Sequence, residues 1–168
     1  FPVMGRRLVN WFILLPFLLI STNVISGDVK RKTDSLKQIV NSKVNDTIKI
    51  LALKSWDDLI YVSDPELDFE LNRRMDSICA KNLKNTKNKK QIYFYTYHRA
   101  AALNVMGLVY KDKGEYAKAV EAQTQSLKLK EKIGDKKGIG ISLNNIGNIY
   151  KDQKDYQRAI DFLNRGLK

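Results

Sequence analysis

Two stretches of the sequence decide the fold: residues 103–112, LNVMGLVYKD, and residues 143–152, LNNIGNIYKD. They lie 40 residues apart, and the wider comparison aligns residues 100–128 with residues 140–168, where ten of 29 positions are identical. Identical residues at a fixed offset indicate a repeated structural unit. We therefore predict that the second half of the chain contains two copies of one unit.

Each copy carries the spacing of an amphipathic helix. Apolar and small residues recur at i, i+3, i+4 and i+7, which places them on one stripe of a helix. The glycine in this stripe costs a helix about 1 kcal/mol relative to alanine, so its recurrence indicates that a neighbouring helix passes too close for a side chain. The stripes are Leu103, Met106, Gly107 and Tyr110, then Leu143, Ile146, Gly147 and Tyr150.

A second helix follows each stripe. The polar stretches 111–115 and 151–155 are long enough only for the turn of an antiparallel helical hairpin. Ala119 and Ala159 then supply the small surface that each glycine requires, with Tyr116 and Tyr156 completing the packing set. Gly134 is the predicted C-cap between the hairpins. The predicted repeats are residues 91–134 and 135–168, the second truncated at the C-terminus.

The pattern Leu-x-x-(Met/Ile)-Gly-x-x-Tyr, followed by Tyr-x-x-Ala and a later leucine, resembles the tetratricopeptide repeat in its longer, kinesin light chain-like form. It is also similar to repeats in the exported sensor regions of Bacteroidetes membrane signalling proteins. The resemblance implies an all-α, right-handed superhelical α-solenoid that binds proteins. It also implies that the first helix of each hairpin lines a concave groove, with Asn104, Lys111, Asn144, Asn148 and Lys151 facing a bound peptide.

The chemistry of these groove residues suits a peptide. Asparagine can pair with an extended backbone, and lysine attracts carboxylates, so an acidic or C-terminal peptide is the implied ligand. The alternative is a solvated helix face in an Asn- and Lys-rich sequence. The first copy has Leu108 at the position of Asn148, so the row of asparagines is incomplete there.

Upstream, residues 46–90 read as a degenerate first repeat and linker, with Asp57 in place of the glycine. Asn45 and Pro65 suit the starts of two helices. Residues 27–45 are expected to hold a short capping helix. Asp57 and Asp58 are adjacent and cannot face each other on a helix, which argues against a catalytic carboxylate pair.

The first 26 residues have the pattern of an export signal. Arg6 and Arg7 precede a run from Leu8 to Ile20 that is apolar apart from Asn10, and Ser26 suits a cleavage site. An uncleaved membrane anchor is the alternative, although the run is shorter than the ~20 residues of a spanning helix. We expect an exported, periplasmic or inner-membrane-associated bacterial chain that is an N-terminal fragment.

The composition excludes several classes of site. One cysteine and one histidine, Cys79 and His98, exclude a disulfide framework and a histidine-cluster metal site, so we expect no enzyme, metal or cofactor. Met75, Ile78 and Cys79 share a helical face, which favours a core cysteine. The formal net charge is +12, and lysines at 81–90 precede aromatics at 93–97. Export makes nucleic acid an improbable partner for them; a membrane or polysaccharide surface is the alternative.

The sequence therefore predicts a protein-interaction scaffold. Its leading interpretation is the periplasmic sensory or adaptor region of a longer membrane signalling protein, with a histidine kinase or similar output domain beyond Lys168. Membrane contact would then come from the N-terminal segment or from a missing downstream helix. The alternatives are a free-standing periplasmic adaptor that assembles an envelope complex and, third, a hydrolase, for which no nucleophile–base pair is found.

Overall fold

The computed structural model describes residues 27–60 and 63–167. The predicted export signal, residues 1–26, lies outside this range. The described residues are all-helical and contain no strand. The helices are α1 (described over 27–41), α2 (Asp46–Ile60), α3 (Pro65–Asn85), α4 (Lys89–Asp112), α5 (Tyr116–Ile133), α6 (Lys136–Asp152) and α7 (Tyr156–Gly166).

Local chemistry fixes the helix ends. The Asn45 carboxamide oxygen accepts a hydrogen bond from the Ile48 N–H at 2.9 Å, and Asp64 caps α3, which starts with Pro65. Gly134 ends α5 in the left-handed conformation at φ 72°. These three predicted helix signals are confirmed, because each supplies a group or a conformation that a helix end requires.

Several predicted boundaries are wrong. The helices α4 and α6 continue through Asp112 and Asp152, so the turns are shorter than the sequence indicated, and α4 begins at Lys89 rather than at Gln91. Residues 138–140, which include two glycines, lie in the first turns of α6. Asp135 caps that helix through a hydrogen bond from the Gly138 N–H at 2.9 Å, which offsets the low helix propensity of the glycines.

Each helix from α2 onward packs against the next, which produces three helical hairpins: α2–α3, α4–α5 and α6–α7. The first helices α4 and α6 also contact each other. This succession is consistent with a helical solenoid. The α2–α3 hairpin occupies the position of the predicted degenerate repeat, and the end of α1 joins its core through Val40 and Leu36.

Apolar packing is divided between two clusters. The larger cluster spans α1 to α4 and includes Leu53, Leu71 and Met75; Cys79 is fully buried within it, as its helical spacing predicted. Burial raises the pKa of the Cys79 thiol to about 12, which makes it unreactive at neutral pH. The smaller cluster joins Leu127 of α5 to Leu143 and Ile146 of α6. It connects the two similar hairpins.

The recurrent glycines have different neighbours. A Cβ on Gly147 would lie 2.8 Å from Leu163 Cγ and 3.2 Å from the Ala159 carbonyl oxygen, so α6 and α7 approach closely at the predicted glycine–alanine contact. A Cβ on Gly107 would instead meet the Gln123 side chain, 2.8 Å from Nε2. The first glycine therefore leaves room for a buried amide.

Most of the predicted packing residues lie in the interior. Tyr110 packs edge-on against Phe69, with ring centroids 5.2 Å apart, and Tyr150 stacks on Phe162 at 5.6 Å. Tyr156 departs from the prediction: it is 61% exposed, because no described helix covers the outer face of α7. The buried members are Leu103, Gly107, Ala119, Leu143, Gly147 and Ala159, while Tyr110, Tyr116 and Tyr150 are half-buried.

Replacing Gly147 with alanine tests the close approach of α6 and α7. We expect the free energy of unfolding of Gly147→Ala to be about 1–3 kcal/mol lower than that of Gly140→Ala, because the added methyl group overlaps Leu163 and a backbone oxygen. Gly140 lies in the same helix, α6, where a Cβ would make only an ordinary contact with the Gly166 carbonyl oxygen at 3.4 Å, so both variants share the gain in helix propensity. Urea unfolding followed by circular dichroism measures the difference. Equal midpoints would contradict the close contact.

Candidate functional site

Two adjoining grooves run along the first helices of the hairpins. The first groove, of about 440 Å³, lies between α2 and α4, and the second, of about 390 Å³, between α4 and α6. Val105 of α4 lines both grooves. The first is lined by Lys54, Asp57, Asp58, Pro65, Asp68, Val105, Leu108, Val109 and Asp112; the second by Tyr97, Ala100, Ala101, Asn104, Val105, Lys130, Asp135, Lys137, Gly138 and Ile141.

The wall of the first groove contains a buried carboxylate pair. Asp57 of α2 and Asp68 of α3 are each only 5% exposed. The Asn72 amide donates to Asp57 Oδ1 at 2.6 Å and to Asp68 Oδ1 at 3.0 Å, and so joins the two acids. Lys54 Nζ lies 3.9 Å from Asp57 Oδ2. The aspartate that replaces the repeat glycine is thus accommodated through a hydrogen-bonded network.

The surroundings of Asp68 change its proton affinity. Burial raises the pKa of Asp68 to about 8, and the hydrogen bond and negative charge of Asp57 contribute to this rise from the ordinary value. At neutral pH, Asp68 is therefore mainly protonated and can donate to its neighbour. The pair is a structural feature of the α2–α3 hairpin that faces the groove.

The second groove is amphipathic. Tyr97 of α4 and Ile141 of α6 are 46% and 43% exposed, and they flank it as large apolar side chains. Lys130, from the last turn of α5, lines it with only 7% exposure. Burial lowers the pKa of Lys130, because its charged form loses hydration. The groove thus offers apolar contact area together with a desolvated cation.

Asn104 lines the second groove, as the groove prediction requires, and it also joins the two hairpins. Its side-chain oxygen accepts a hydrogen bond from Asn145 Nδ2 at 3.0 Å, and its backbone oxygen accepts one from Gln123 Nε2 at 2.8 Å. Its own carboxamide N–H groups donate no hydrogen bond to another described residue.

Asn144 does not lie where the predicted row of asparagines would place it. A Cβ on Gly166 would come within 2.5 Å of Asn144 Oδ1, so this side chain lies at the edge between α6 and α7. It does not line either groove. The equivalent residues Asn104 and Asn144 differ because Gly166 replaces Ser126 of the preceding hairpin, and Ser126 instead donates to the Ala100 carbonyl oxygen at 2.7 Å.

The remaining predicted groove residues are divided. Lys111 Nζ lies 3.6 Å from Asp152 Oδ2, an ion pair between α4 and α6, and 3.3 Å from Asp112 Oδ1 on its own helix. Lys151 is exposed, and Asn148 is half-buried at the position equivalent to Leu108. None of these three lines a described groove.

Sequence reasoning missed two buried titratable residues of the groove walls, Asp68 and Lys130. Both come from second helices, whereas the resemblance implied that the first helices line the groove, and both lie outside the 40-residue alignment. The only sequence signal for these two residues was a polar side chain within a helical stripe that is otherwise apolar. The first groove is mainly acidic through Asp57, Asp58 and Asp112. The second groove has Lys130 and Lys137 against Asp135 alone.

His98 has no catalytic partner within the described chain. Its ring packs on Phe94, with centroids 4.4 Å apart, and its Nδ1 atom is buried without a hydrogen bond there. Burial lowers the pKa of His98, which favours the neutral ring. Among residues 27–60 and 63–167 there is also no group of three His, Cys, Asp or Glu side chains arranged to hold a metal ion.

Comparison with known families agrees with the repeat pattern. Residues 98–168 match a family model. The match is to the tetratricopeptide repeat. It covers most of α4 and all of the described part of α5 to α7, and it supports a tetratricopeptide repeat protein. No curated protein and no solved structure matches the chain.

Tetratricopeptide repeats generally mediate protein–protein interactions and are typically scaffolds rather than enzymes. A membrane-spanning helix is not found in the part of the chain that the structure describes, where every helix is too short or too polar.

The Asp57–Asp68 pair predicts an unusual pH dependence of stability. The pKa of Asp68 is raised in the folded state. At a pH between the ordinary and the raised pKa of this carboxyl group, the folded chain therefore holds a proton that the unfolded chain releases. The contribution of this group to stability is therefore greatest below about pH 4, falls as pH rises, and levels off once pH passes about 8.

Urea unfolding between about pH 5 and pH 9 measures this slope, because the two limits lie on either side of the raised pKa. Asp68→Asn should flatten it, because the amide cannot release a proton. Asp58→Asn is the matched control, since Asp58 is exposed and is the same residue type. A wild-type slope that persists in Asp68→Asn would contradict the assignment.

Proposed function

We propose that the chain is a protein-interaction scaffold that binds an extended peptide segment along its two adjoining grooves. The observation that carries this proposal is the second groove, where exposed Tyr97 and Ile141 lie beside a desolvated lysine and an asparagine with free N–H donors. Apolar contact provides most of the affinity in such sites, and a few polar groups fix the orientation of the ligand.

The charge of the grooves narrows the ligand class. The second groove favours an acidic segment, in keeping with the ligand implied by the sequence. The first groove presents Asp57, Asp58 and Asp112 against Lys54, so an acidic segment there would be repelled. We therefore place the acidic part of the peptide between α4 and α6.

In the wider proposal, the scaffold is the periplasmic sensory or adaptor region of a membrane signalling protein. The alternative is a free-standing periplasmic adaptor of an envelope complex. Support for either location comes from the sequence of residues 1–26 alone, with two arginines before an apolar run. The two forms differ in whether an output domain shares the polypeptide, which the complete open reading frame decides.

Groove binding can be tested with a matched pair of double variants. Peptides are first selected from a random displayed library on the purified full chain. Tyr97→Ala/Ile141→Ala should then weaken the selected peptides by roughly 10- to 100-fold in fluorescence anisotropy, because large buried contacts dominate peptide affinity. Tyr156→Ala/Ile160→Ala removes the same two residue types from the exposed face of α7 and should leave binding unchanged.

Two outcomes would contradict the groove. One is equal affinity of the selected peptides for both double variants. The other is a library selection whose peptides do not compete with one another for binding to the chain. Alanine variants of Asn104, Asn144 and Asn148 test the prediction that all three asparagines contact the peptide. We expect the loss of peptide affinity to come from Asn104→Ala, and Asn144→Ala alone to bind almost as tightly as wild type.

The export proposal has its own test. Residues 1–26 fused to alkaline phosphatase, an enzyme that becomes active only outside the reducing cytoplasm, should give activity in a bacterial host. Deleting residues 8–20 should abolish it, because the apolar run is what the export machinery binds. Cleavage after Ser26 would leave Gly27 as the new N-terminus, as read by mass spectrometry. Phosphatase activity that survives the deletion would contradict the proposal that residues 1–26 are an export signal.

A further inference from the structure

The antiparallel packing of the helices brings both connections between the hairpins to one edge of the solenoid. The end of α3 meets the start of α2 there, where Asn82 Nδ2 donates to Asp46 Oδ2 at 2.8 Å. The end of α5 lies against the start of α4, where Ser126 Oγ donates to the Ala100 carbonyl oxygen at 2.7 Å. Residues 86–88, which precede α4, and residues 134–135, which precede α6, therefore lie on the same side of the molecule.

This edge is strongly basic. Residues 81–90 and 128–137, which surround the two connections, contain ten lysines, no arginine and only two acids, Glu131 and Asp135. Nine of the ten lysines are exposed, and Lys130 is the buried one. We call the nine exposed residues the lysine edge: Lys81, Lys84, Lys87, Lys89, Lys90, Lys128, Lys132, Lys136 and Lys137.

The charges of the lysine edge are not compensated by neighbouring acids. None of its nine ammonium groups lies within 4.0 Å of a carboxylate oxygen of a described residue. The opposite edge differs: residues 57–60, 63–68, 110–118 and 150–158 contain nine acids and six basic residues. Four of those six form ion pairs, among them Lys113 with Glu66 at 3.7 Å. Crowded like charges repel one another, so an anionic partner would relieve repulsion at the lysine edge.

Two exposed tyrosines lie beside these lysines. Tyr93 and Tyr97 are 54% and 46% exposed, and their rings are nearly parallel, with centroids 6.4 Å apart and an interplanar angle of 11°. Lys90, Tyr93 and Tyr97 follow one another at helical spacing and so share one face of α4. Tyr95 is only 5% exposed and belongs to the core. Tyrosine combines an apolar ring with a polar hydroxyl group and is enriched at the headgroup layer of membranes.

We propose that the lysine edge, together with Tyr93 and Tyr97, is a docking surface for an anionic lipid bilayer. Clusters of lysines attract anionic headgroups, and each lysine near the bilayer strengthens binding roughly fivefold. The inference goes beyond the proposed function, because it concerns another surface and another class of partner. Lys137 is the one member of the lysine edge that lines either groove.

Two features favour a bilayer over a charged polymer. The lysine edge has no arginine, the residue whose planar fork suits phosphates at fixed positions, whereas lysine acts as a hydrated point charge. Proteins that bind single-stranded nucleic acid also use a positively charged groove that follows the backbone. Neither groove here is lined by more than one residue of the lysine edge. A broad fluid surface can contact lysines on two successive hairpins without a groove.

The experiment measures how the purified full chain partitions onto vesicles, by co-sedimentation. Vesicles of phosphatidylcholine alone are compared with vesicles that contain about 30% phosphatidylglycerol, at about 0.1 M salt, where the Debye length is about 10 Å. Both vesicles offer the same apolar interior to residues 8–20, so the difference between them isolates the effect of charge. Wild type should bind the anionic vesicles at least about tenfold more tightly, as two or more contacting lysines require.

Matched double variants locate the charges that act. Lys90→Gln/Lys136→Gln should lower the partition coefficient on anionic vesicles by roughly 10- to 25-fold. Lys151→Gln/Lys154→Gln removes two exposed charges from the opposite edge. That edge lies about 25 Å away along the 17-residue helix α6, so salt screens its charges and binding should stay close to wild type. None of the four lysines lines a groove, so both variants should still bind the selected peptides, which also checks that they are folded.

Several results would overturn the proposal. One is equal partitioning of wild type onto both kinds of vesicle, and another is an equal loss in the two double variants, which would mean that only net charge matters. A thymidine oligonucleotide and hyaluronate are run under the same conditions. If either binds through Lys90 and Lys136 while the anionic vesicles do not bind, the partner is a polymer and the bilayer assignment is wrong. Tyr93→Ala, outside both grooves, should also reduce vesicle binding, and unchanged binding would contradict the role of the tyrosines.

Discussion

The hydrogen bonds at Gln123 are the constraint on which the arrangement of the two similar hairpins depends. Gln123 is fully buried, its Nε2 donates to the Asn104 backbone oxygen at 2.8 Å, and its Oε1 lies 3.5 Å from Asn145 Nδ2. Asn145 also donates to the Asn104 side chain. Buried amides must find partners, so this network allows few positions of α6 against α4 and α5. Gly107 provides the space for Gln123, and the second groove follows from the resulting spacing of the helices.

Charge is placed in the grooves at a cost to stability. Lys130 forms no close ion pair within the described residues, although the negative charge of Asp135 lies nearby, and Asp57 and Asp68 place two acids around one Asn72 amide. An apolar side chain of similar volume would be equally or more stable at a buried charged position. Such groups are characteristic of binding sites, where a ligand supplies the missing interaction, although structural networks also produce them. Both sets lie at the groove walls rather than in the centres of the two apolar clusters.

The sequence was sufficient for the fold because the repeat is encoded locally. Helical stripes, the Gly134 C-cap and the 40-residue offset each depend on residues close together in the chain, and all three predicted helical hairpins are present. The site depends on contacts between helices. Asp57 and Asp68 come together only when α2 packs on α3, and Lys130 reaches the groove only when Gly138 leaves room on α6. Neither contact follows from spacing along one helix. Tyr156 shows that identity at the repeat offset does not ensure an identical environment, since Tyr156 is exposed whereas Tyr116 is half-buried.

The two grooves differ in sign, and this difference constrains any single ligand that occupies both. Because Val105 lines each of them, a peptide lying along α4 would pass from the acidic wall at Asp57 and Asp112 to the desolvated Lys130. A uniformly acidic segment would be attracted by the second groove and repelled by the first. Charge alone would therefore confine it to the space between α4 and α6. A segment with basic residues followed by acidic ones would gain at both ends and would bind in one direction only. If a peptide binds there as proposed, this opposition of charge would set the direction in which it lies along the two grooves.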